Sequence, residues 1–259
     1  MKILFVGDVV GKPGCDCVAR LLPRIKKEHG IDLAVINCEN ATATNGVMPA
    51  AAQALLDAGA DVLTGGNHIF GKKQMHAMLE ENDRVLRPAN YPPSAPGRGR
   101  TDIDCGRYTV TVINLQGTAF MDALESPFDA LDRLLVDAGR ITLVDFHAEA
   151  TSEKRALGFY ADGRVTALIG THTHVQTADA QILPGGSGYL TDAGMTGTVD
   201  SVLGAKKEIV IDRFRSKLPI PFELAEGKTA LCGVVIEADE KTGKCRHITP
   251  VCYDNDREN

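Results

Sequence analysis

The sequence predicts a mixed α/β fold in which helices and sheets are layered as an α/β/β/α sandwich. Within residues 1–81, three short apolar runs are each followed by polar residues and then by a segment with helical periodicity. Such repeated strand–helix units predict parallel strands, because a parallel pair needs a long crossover connection. Residues 229–237 and 245–252 alternate in polarity around a turn at 241–243, which predicts an antiparallel hairpin. The sheets should therefore be mixed, with more antiparallel pairing in the second half.

Three strand–helix units follow one another directly in the first third of the chain. The predicted strands are residues 2–7, 33–38 and 61–66. The predicted helices are a segment with apolar periodicity over residues 18–25 that ends near Gly30, residues 49–58, and the segment around Met75 and Leu79. Gly30 and Gly59 follow the first two helices, where glycine commonly ends a helix in a left-handed conformation.

The rest of the chain continues with elements of less regular spacing. We predict strands at residues 108–114, 141–146 and 165–169, a helix at 127–138, and another helix with Thr151 or Ser152 as its N-cap. Residues 87–100 are rich in Pro, Gly and Arg and are predicted to form a long ordered loop at the rim of a site. No linker or change of composition divides the chain, so we expect residues 1–259 to form a single domain.

The composition is that of a globular protein and excludes several other classes. Of the 259 residues, 44% are hydrophobic and 24% are charged, which excludes disordered and fibrous chains. The net charge of −6 gives no general attraction to duplex nucleic acid or to an anionic membrane. No apolar run approaches the ~18 residues of a membrane span. Seven cysteines without the spacing of a secreted scaffold, and no signal-peptide pattern, predict a cytoplasmic protein.

Five predicted strands end beside a side chain that can bind a metal ion. Because ligands bind outside the carboxyl ends of strands in α/β sheets, these side chains can converge although they are far apart in the sequence. The most suggestive single pattern is Thr171-His-Thr-His174, since two histidines two residues apart point to the same side of an extended chain. The candidate metal ligands, in strand order, are Asp8, Glu39, Asn40, Asn67, His147, His172 and His174.

This ligand set exceeds the needs of one tetrahedral zinc ion and suits two ions of the iron, manganese or zinc type. Glu39 is predicted to bridge the ions. The remaining ligands divide into Asp8 and His174 on one ion and Asn67, His147 and His172 on the other. Two ions about 3.5–4 Å apart can hold and deprotonate a bridging water for in-line attack on phosphorus. His68 would protonate the leaving oxygen, so the predicted chemistry is hydrolysis of a phosphoester.

Six short motifs connect this chain to a known family. They are Asp8-Val-Val-Gly, Asn37-Cys-Glu-Asn-Ala41, Gly65-Gly-Asn-His68, Asp145-Phe-His-Ala-Glu-Ala-Thr-Ser-Glu-Lys154, Gly170-Thr-His-Thr-His-Val175 and Thr191-Asp-Ala-Gly-Met-Thr-Gly197. In this order and combination, the motifs closely resemble the YmdB-like branch of the calcineurin-like metallophosphoesterases. The resemblance covers essentially the whole chain.

The resemblance implies a four-layer metallophosphoesterase sandwich that acts as a 2′,3′-cyclic nucleotide 2′-phosphodiesterase and releases nucleoside 3′-phosphates. It implies a di-iron centre in which manganese can replace iron, with His68 as the proton donor, and it favours a homo-oligomer. The implied ligand sets are Asp8, Glu39, Asn40 and His174 for the first metal ion, and Glu39, Asn67, His147 and His172 for the second.

Other functions stay open on the sequence alone. The same metal chemistry would serve an enzyme for 3′,5′-cyclic nucleotides or another small phosphoester, because the metal ligands do not select the substrate. A non-catalytic regulatory partner in RNA processing is an alternative of a different class. His68 argues against it, since a purely structural metal site has no use for a proton donor. A zinc hydrolase that cleaves amides is a weaker alternative, because the H-E-x-x-H motif is absent.

Overall fold

A computed structural model describes residues 1–42 and 45–254. Residues 43 and 44, which precede the helix predicted at residues 49–58, and residues 255–259 lie outside this description. The strands are β1 (Lys2–Val6), β2 (Asp8–Val9), β3 (Leu33–Asn37), β4 (Val62–Thr64), β5 (Arg100–Asp104), β6 (Thr109–Gln116), β7 (Ile141–His147), β8 (Ala167–Thr171), β9 (Gln181–Ile182), β10 (Gly188–Leu190), β11 (Met195–Thr198), β12 (Thr229–Ala238) and β13 (Cys245–Asp254). The helices are α1 (Gly11–His29), α2 (Pro49–Asp57), α3 (Met75–Glu81), α4 (Pro127–Leu134), α5 (Thr151–Ala161) and α6 (Lys207–Ser216).

The first sheet has the strand order β2–β11–β12–β1–β3–β4, and β13 also pairs with β12. Strands β1, β3 and β4 are parallel, as the repeated strand–helix units predict. Strands β12 and β13 form the predicted hairpin, and β12 inserts antiparallel beside β1. The C-terminal hairpin therefore completes the sheet that the N-terminal units begin.

The second sheet has the order β5–β6–β7–β8–β10–β9. Its four central strands are parallel, and only the edge strands β5 and β9 pair in the antiparallel sense. The expectation of more antiparallel pairing in the second half is therefore wrong for this sheet. The reason is that α4 and α5 form crossover connections from β6 to β7 and from β7 to β8, which return the chain in the same direction.

The two sheets pack face to face and each carries helices on its outer face. In β1, Ile3 and Phe5 belong to the apolar cluster between the sheets, which includes Val112 of β6 and Leu143 of β7. The alternate residue Leu4 faces the opposite way, into the cluster with α1, α2 and α3. A third cluster joins α4 and α5 to the outer face of the second sheet. The α/β/β/α layering predicted from the sequence is confirmed.

Helices α4 and α5 each differ from the prediction at one end. Helix α4 ends at Leu134 rather than at residue 138, because the chain turns there toward Gly139, whose N–H donates to Thr111. Helix α5 has Ala150 as its N-cap, so Thr151 is already helical and neither Thr151 nor Ser152 caps it. In the described part of the chain, no helix is both long and apolar enough to cross a membrane.

Candidate metal centre

The predicted ligands lie where the carboxyl ends of strands from both sheets meet. Asp8 opens β2, Glu39 and Asn40 follow β3, and Asn67 follows β4 in the first sheet. From the second sheet, His147 is the last residue of β7, and His172 and His174 follow β8. Four of these ligands, Glu39, Asn40, His172 and His174, line a polar cavity of about 340 Å³ together with His68 and Glu149.

One group of ligands converges on His147. Its Nε2 atom lies 3.1 Å from Glu39 Oε1, 3.0 Å from Asn67 Oδ1 and 3.0 Å from His172 Nδ1. The ligand atoms of Glu39, His147 and His172 lie within 4.8 Å of one another, close enough to surround a single ion. These four residues are the set that the resemblance implies for the second metal ion.

The other group surrounds His174. Its Nε2 atom lies 3.8 Å from Asp8 Oδ1 and 3.2 Å from the side-chain nitrogen of Asn40, which also contacts Glu39 Oε1 at 2.9 Å. Asp8 Oδ1 and His174 Nδ1 are buried and have no hydrogen-bond partner among the described residues. Because buried polar atoms are normally paired, the unpaired carboxylate oxygen of Asp8, which faces His174 Nε2, fits a bound cation. Glu39 contacts both groups, so the donor set fits two ions that share one carboxylate.

Gly66, which follows β4, lies against the side chains of Glu39 and His147 and has no side chain that would displace them. A Cβ atom at this position would lie 2.2 Å from Glu39 Oε2 and 2.4 Å from His147 Nε2. Any larger residue would therefore displace the carboxylate and the imidazole. The Gly65-Gly66-Asn67-His68 motif thus leaves room for Glu39 and His147 at Gly66, and it supplies the predicted ligand Asn67 and the predicted proton donor His68.

Burial and mutual contact shift the ionisation of the buried ligands. Burial raises the pKa of Asp8. Burial alone would also raise the pKa of Glu39, but its contact with His147 outweighs burial and lowers that pKa to about 2. Burial opposes the charge on His147, yet Glu39 and Asp8 raise its pKa to about 9. Burial and the nearby charge of His147 lower the pKa of His172 to about 4. Since metal ligation requires neutral imidazole, metal binding and proton loss from His147 are coupled.

A chain of buried hydrogen bonds orients the His147 imidazole through Nδ1. Its Nδ1 atom lies 2.9 Å from the hydroxyl of Thr171, which donates to Asp145 Oδ1 at 2.7 Å. Asn37 donates to the other carboxylate oxygen of Asp145 at 2.9 Å. Because the Thr171 hydrogen is used by Asp145, Nδ1 of His147 is the donor, and Nε2 is the atom that can bind a metal ion once it has lost its proton. Burial raises the pKa of Asp145 to about 6.

The two histidines after β8 reach the site through a turn. His172 has φ of 98° and His174 has φ of 62°, so the extended arrangement predicted for this pair is wrong. The residue between them is fixed instead: Thr173 donates its N–H and its hydroxyl to Asp192 Oδ2, at 3.1 and 2.7 Å. The same oxygen accepts a 2.8 Å bond from Lys154, and both ionic side chains are fully buried. This ion pair therefore holds the turn in place.

His68 lies beside the ligands and is half-buried. Its backbone N–H donates to Glu39 Oε2 at 3.1 Å, and its Nε2 atom lies 3.4 Å from the side-chain nitrogen of Asn67. The imidazole therefore lines the cavity without needing to bind metal itself.

Several residues at the site were not assigned by sequence reasoning. Glu149 Oε2 lies 3.2 Å from His172 Nε2, at the edge of the cavity. Asp145 could have been recognised, because it lies two residues before His147 in an apolar strand and so shares its side of the sheet. Thr171 and Lys154 carry no comparable signal, since neither residue type is unusual at a strand end or in a helix.

Comparison with known proteins gives the family. The family model described as "YmdB-like protein" matches residues 4–251. This chain belongs to the YmdB-like family. It is 46% identical, over 259 residues, to the 2′,3′-cyclic-nucleotide 2′-phosphodiesterase of Bacillus subtilis (strain 168), a match that covers 99% of this chain and 98% of the relative. The predicted family and its phosphoester-hydrolase class are confirmed.

Solved structures agree with this assignment. A hypothetical protein from Thermus thermophilus superposes with a TM-score of 0.93 at 41% identity, covering 98% of this chain and 99% of the other. The calcineurin-like phosphoesterase YfkN of Bacillus subtilis matches with a TM-score of 0.57 at 12% identity, covering 98% and 90%. The second likeness shows the fold alone, and it confirms the layered α/β/β/α sandwich.

Proposed function

We propose that this protein is a cytoplasmic two-metal phosphodiesterase that hydrolyses 2′,3′-cyclic nucleotides to nucleoside 3′-phosphates. The observation that carries the proposal is the convergence of two groups of ligands on one shared carboxylate, Glu39. The substrate class comes from the Bacillus subtilis relative, which is named for this reaction and matches almost the whole chain. The cytoplasmic location rests on the sequence, whose seven cysteines lack the spacing of a secreted scaffold.

The residues that would hold two metal ions are the two groups already described. We propose Asp8, Glu39, Asn40 and His174 for one ion, and Glu39, Asn67, His147 and His172 for the other. Imidazole, carboxylate and amide donors without a thiolate suit iron, with manganese or zinc as replacements. When bound, such ions supply Lewis acidity toward the phosphate and lower the pKa of an attacking water.

His68 is the proposed general acid. In the reaction, a water oxygen bonds to phosphorus, the bond from phosphorus to O2′ breaks, and the His68 imidazole gives its proton to O2′. One proton of the water stays on the phosphate product, and the other is released and replaces the proton that His68 has lost. The phosphate then remains on O3′. The half-buried position of His68 beside Glu39 and Asn67 supports this role, because a proton donor must reach the leaving oxygen without itself binding metal. A homo-oligomeric state remains a prediction.

Hydrolysis assays with protein of measured metal content test the proposal. The panel contains 2′,3′-cyclic nucleotides, 3′,5′-cyclic nucleotides and linear phosphoesters. We expect 2′,3′-cyclic nucleotides to be converted to 3′-phosphates with about two metal ions bound per chain. His68→Ala should lower kcat by about 10²- to 10⁴-fold at unchanged metal content. Asp8→Ala should lower both metal content and activity.

His29→Ala is the matched control, because His29 lies at the end of α1 against Tyr253, away from the ligands. This variant should retain full activity. Metal binding without cleavage of any ester would favour the non-catalytic regulatory function. Preferred cleavage of a 3′,5′-cyclic substrate would retain the metal chemistry and change the substrate.

A further inference from the structure

A second cavity, largely apolar, opens directly beside the metal centre. Its volume is about 280 Å³, near the lower end of the range of small-molecule sites. Four residues line both this cavity and the polar cavity over the ligands: Asn40, Asn45, His174 and Leu203. The two cavities therefore adjoin along a shared wall. Residues 202–224 supply most of the outer wall, and neither the metal ligands nor the proposed proton donor come from this segment.

Large apolar side chains of this wall are unusually exposed. Phe214 of α6 is 69% exposed, Phe222 is 53% exposed and Leu203 is 50% exposed. Side chains of this size contribute little to the core when half or more of their surface faces solvent. An exposed apolar cluster that borders a polar cavity is typical of a binding site for a ligand with one apolar and one charged part.

The position of Leu203 adds to this interpretation. Leu203 and Gly204 have φ of 54° and 92°, in a turn whose flanking residues Val202 and Ala205 pair with each other. Two successive positive φ values favour Asn-Gly, and a leucine at the first position carries a conformational cost. The turn packs tightly, since a Cβ atom at Gly204 would lie 2.5 Å from Val10 Cγ1. The strained turn thus places an apolar side chain at the junction of the two cavities.

We propose that this apolar cavity binds the nucleobase of the nucleotide whose phosphate is held at the metal centre. The inference rests on the proposed function and deepens it. Base and phosphate are attached to the same ribose, so a base site must share a wall with the phosphate site, as these cavities do. Phe214 and Phe222 offer aromatic rings for stacking, which every base can use. We therefore expect the site to accept all four bases and to discriminate against substrates without a base.

Fluorescence titration with 2-aminopurine riboside 3′-phosphate, which is a product and not a substrate of the proposed reaction, tests base binding independently of catalysis. The chain has no tryptophan, so the signal of the probe is clear of the strongest protein background. Stacking should quench the probe when it binds to the wild-type metal-loaded protein. Phe214→Ala and Phe222→Ala should each weaken binding by about 5- to 100-fold. Phe222→Tyr, which keeps the ring, should bind as the wild type does.

Phe159→Ala is the matched control. Phe159 is 53% exposed, as is Phe222, and each ring is covered by an arginine, Arg155 at 4.8 Å and Arg213 at 4.4 Å from the ring centre. Phe159 lies on α5, outside both cavities. Its replacement should leave the quenching curve within twofold of the wild type.

Parallel kinetics with ribose 2,3-cyclic phosphate, which has no base, separate the two proposals. The alanine variants should lose at least 10-fold more in kcat/KM on the cyclic nucleotide than on the baseless phosphate. If neither substrate is cleaved but quenching still depends on Phe222, the result supports the base site and contradicts the proposed reaction. Unchanged probe binding in the alanine variants would overturn the base site. Equal losses on both substrates, accompanied by a changed oligomeric state, would show instead that a second copy covers this face.

Discussion

The candidate metal centre has two regions whose side chains are held in position by different interactions. We call Asp8, Glu39 and His147 the floor, and His172 and His174 the rim. The floor side chains are at most 1% exposed and come from, or directly after, strands of the two sheets. The rim imidazoles, 22% and 11% exposed, lie on a turn with left-handed backbone at both positions.

This difference shows how one site can combine rigid and adaptable ligands. The floor is fixed by sheet pairing and by the bonds through Thr171 and Asp145. The rim depends on Asp192, which binds both Thr173 and Lys154 in the interior. A backbone held away from its preferred conformation persists only when its surroundings enforce it. We therefore expect the rim to lose its conformation before the floor does when the bonds to Asp192 are removed.

The largest effect is expected for Lys154→Met, which removes the cation that neutralises buried Asp192. An unpaired buried charge typically costs about 3–5 kcal/mol, so the free energy of unfolding should fall by this amount in urea denaturation. Loss of the ion pair should also loosen the turn that carries His172 and His174. Metal titration should therefore show weaker binding of at least one ion.

Lys207→Met is the matched control, since Lys207 forms an ion pair with Asp200 on the surface. Surface pairs contribute little, so this variant should unfold close to the wild type. If Lys154→Met were equally stable and bound metal normally, the buried pair could not be what holds the rim.

The floor and the rim also differ in how far the sequence predicts them. Apolar runs ending at Asp8, Glu39 and His147 predict both the strands and the meeting of their ends, because strand periodicity and the position of ligands in α/β sheets are local rules. The sequence predicts the two histidines after β8 to be ligands but assigns them the wrong backbone conformation. That conformation is imposed by Asp192, which no local pattern connects to Thr173.

Long-range features account for what the sequence does not predict. Lys154 in a helix normally indicates a solvated charge, and only the docking of α5 against the segment after β10 reveals it as fully buried. The parallel order of β7, β8 and β10 is likewise set by how crossover segments pack. The apolar cavity depends on the Leu203 turn, which lacks the Asn-Gly pair that would predict a tight turn.

Metal removal is expected to lower the free energy of unfolding less than Lys154→Met does, and to affect the rim more than the floor. At a free metal concentration of about 100 times Kd, a bound ion stabilises the folded state by about 2.7 kcal/mol, and a chelator should abolish this contribution. Hydrogen exchange should show the difference locally. The amide of His172, which donates to Asp8 at 3.1 Å, should lose protection, while amides within β7 should retain theirs. Equal loss in β7 would contradict the distinction between floor and rim.

The smallest expected difference compares two threonine hydroxyls, one supporting each region. Thr171→Val leaves buried His147 Nδ1 and Asp145 Oδ1 without this partner, which should cost about 1–3 kcal/mol and weaken metal binding by about 10- to 100-fold. Thr173→Val removes a 2.7 Å bond to Asp192, but Lys154 and the backbone N–H of residue 173 still satisfy that carboxylate. Its cost should be about 1 kcal/mol, with little change in metal affinity. Urea denaturation and metal titration of the two variants measure both quantities. A larger loss for Thr173→Val would mean that the rim, and not the floor, depends on individual hydroxyl bonds.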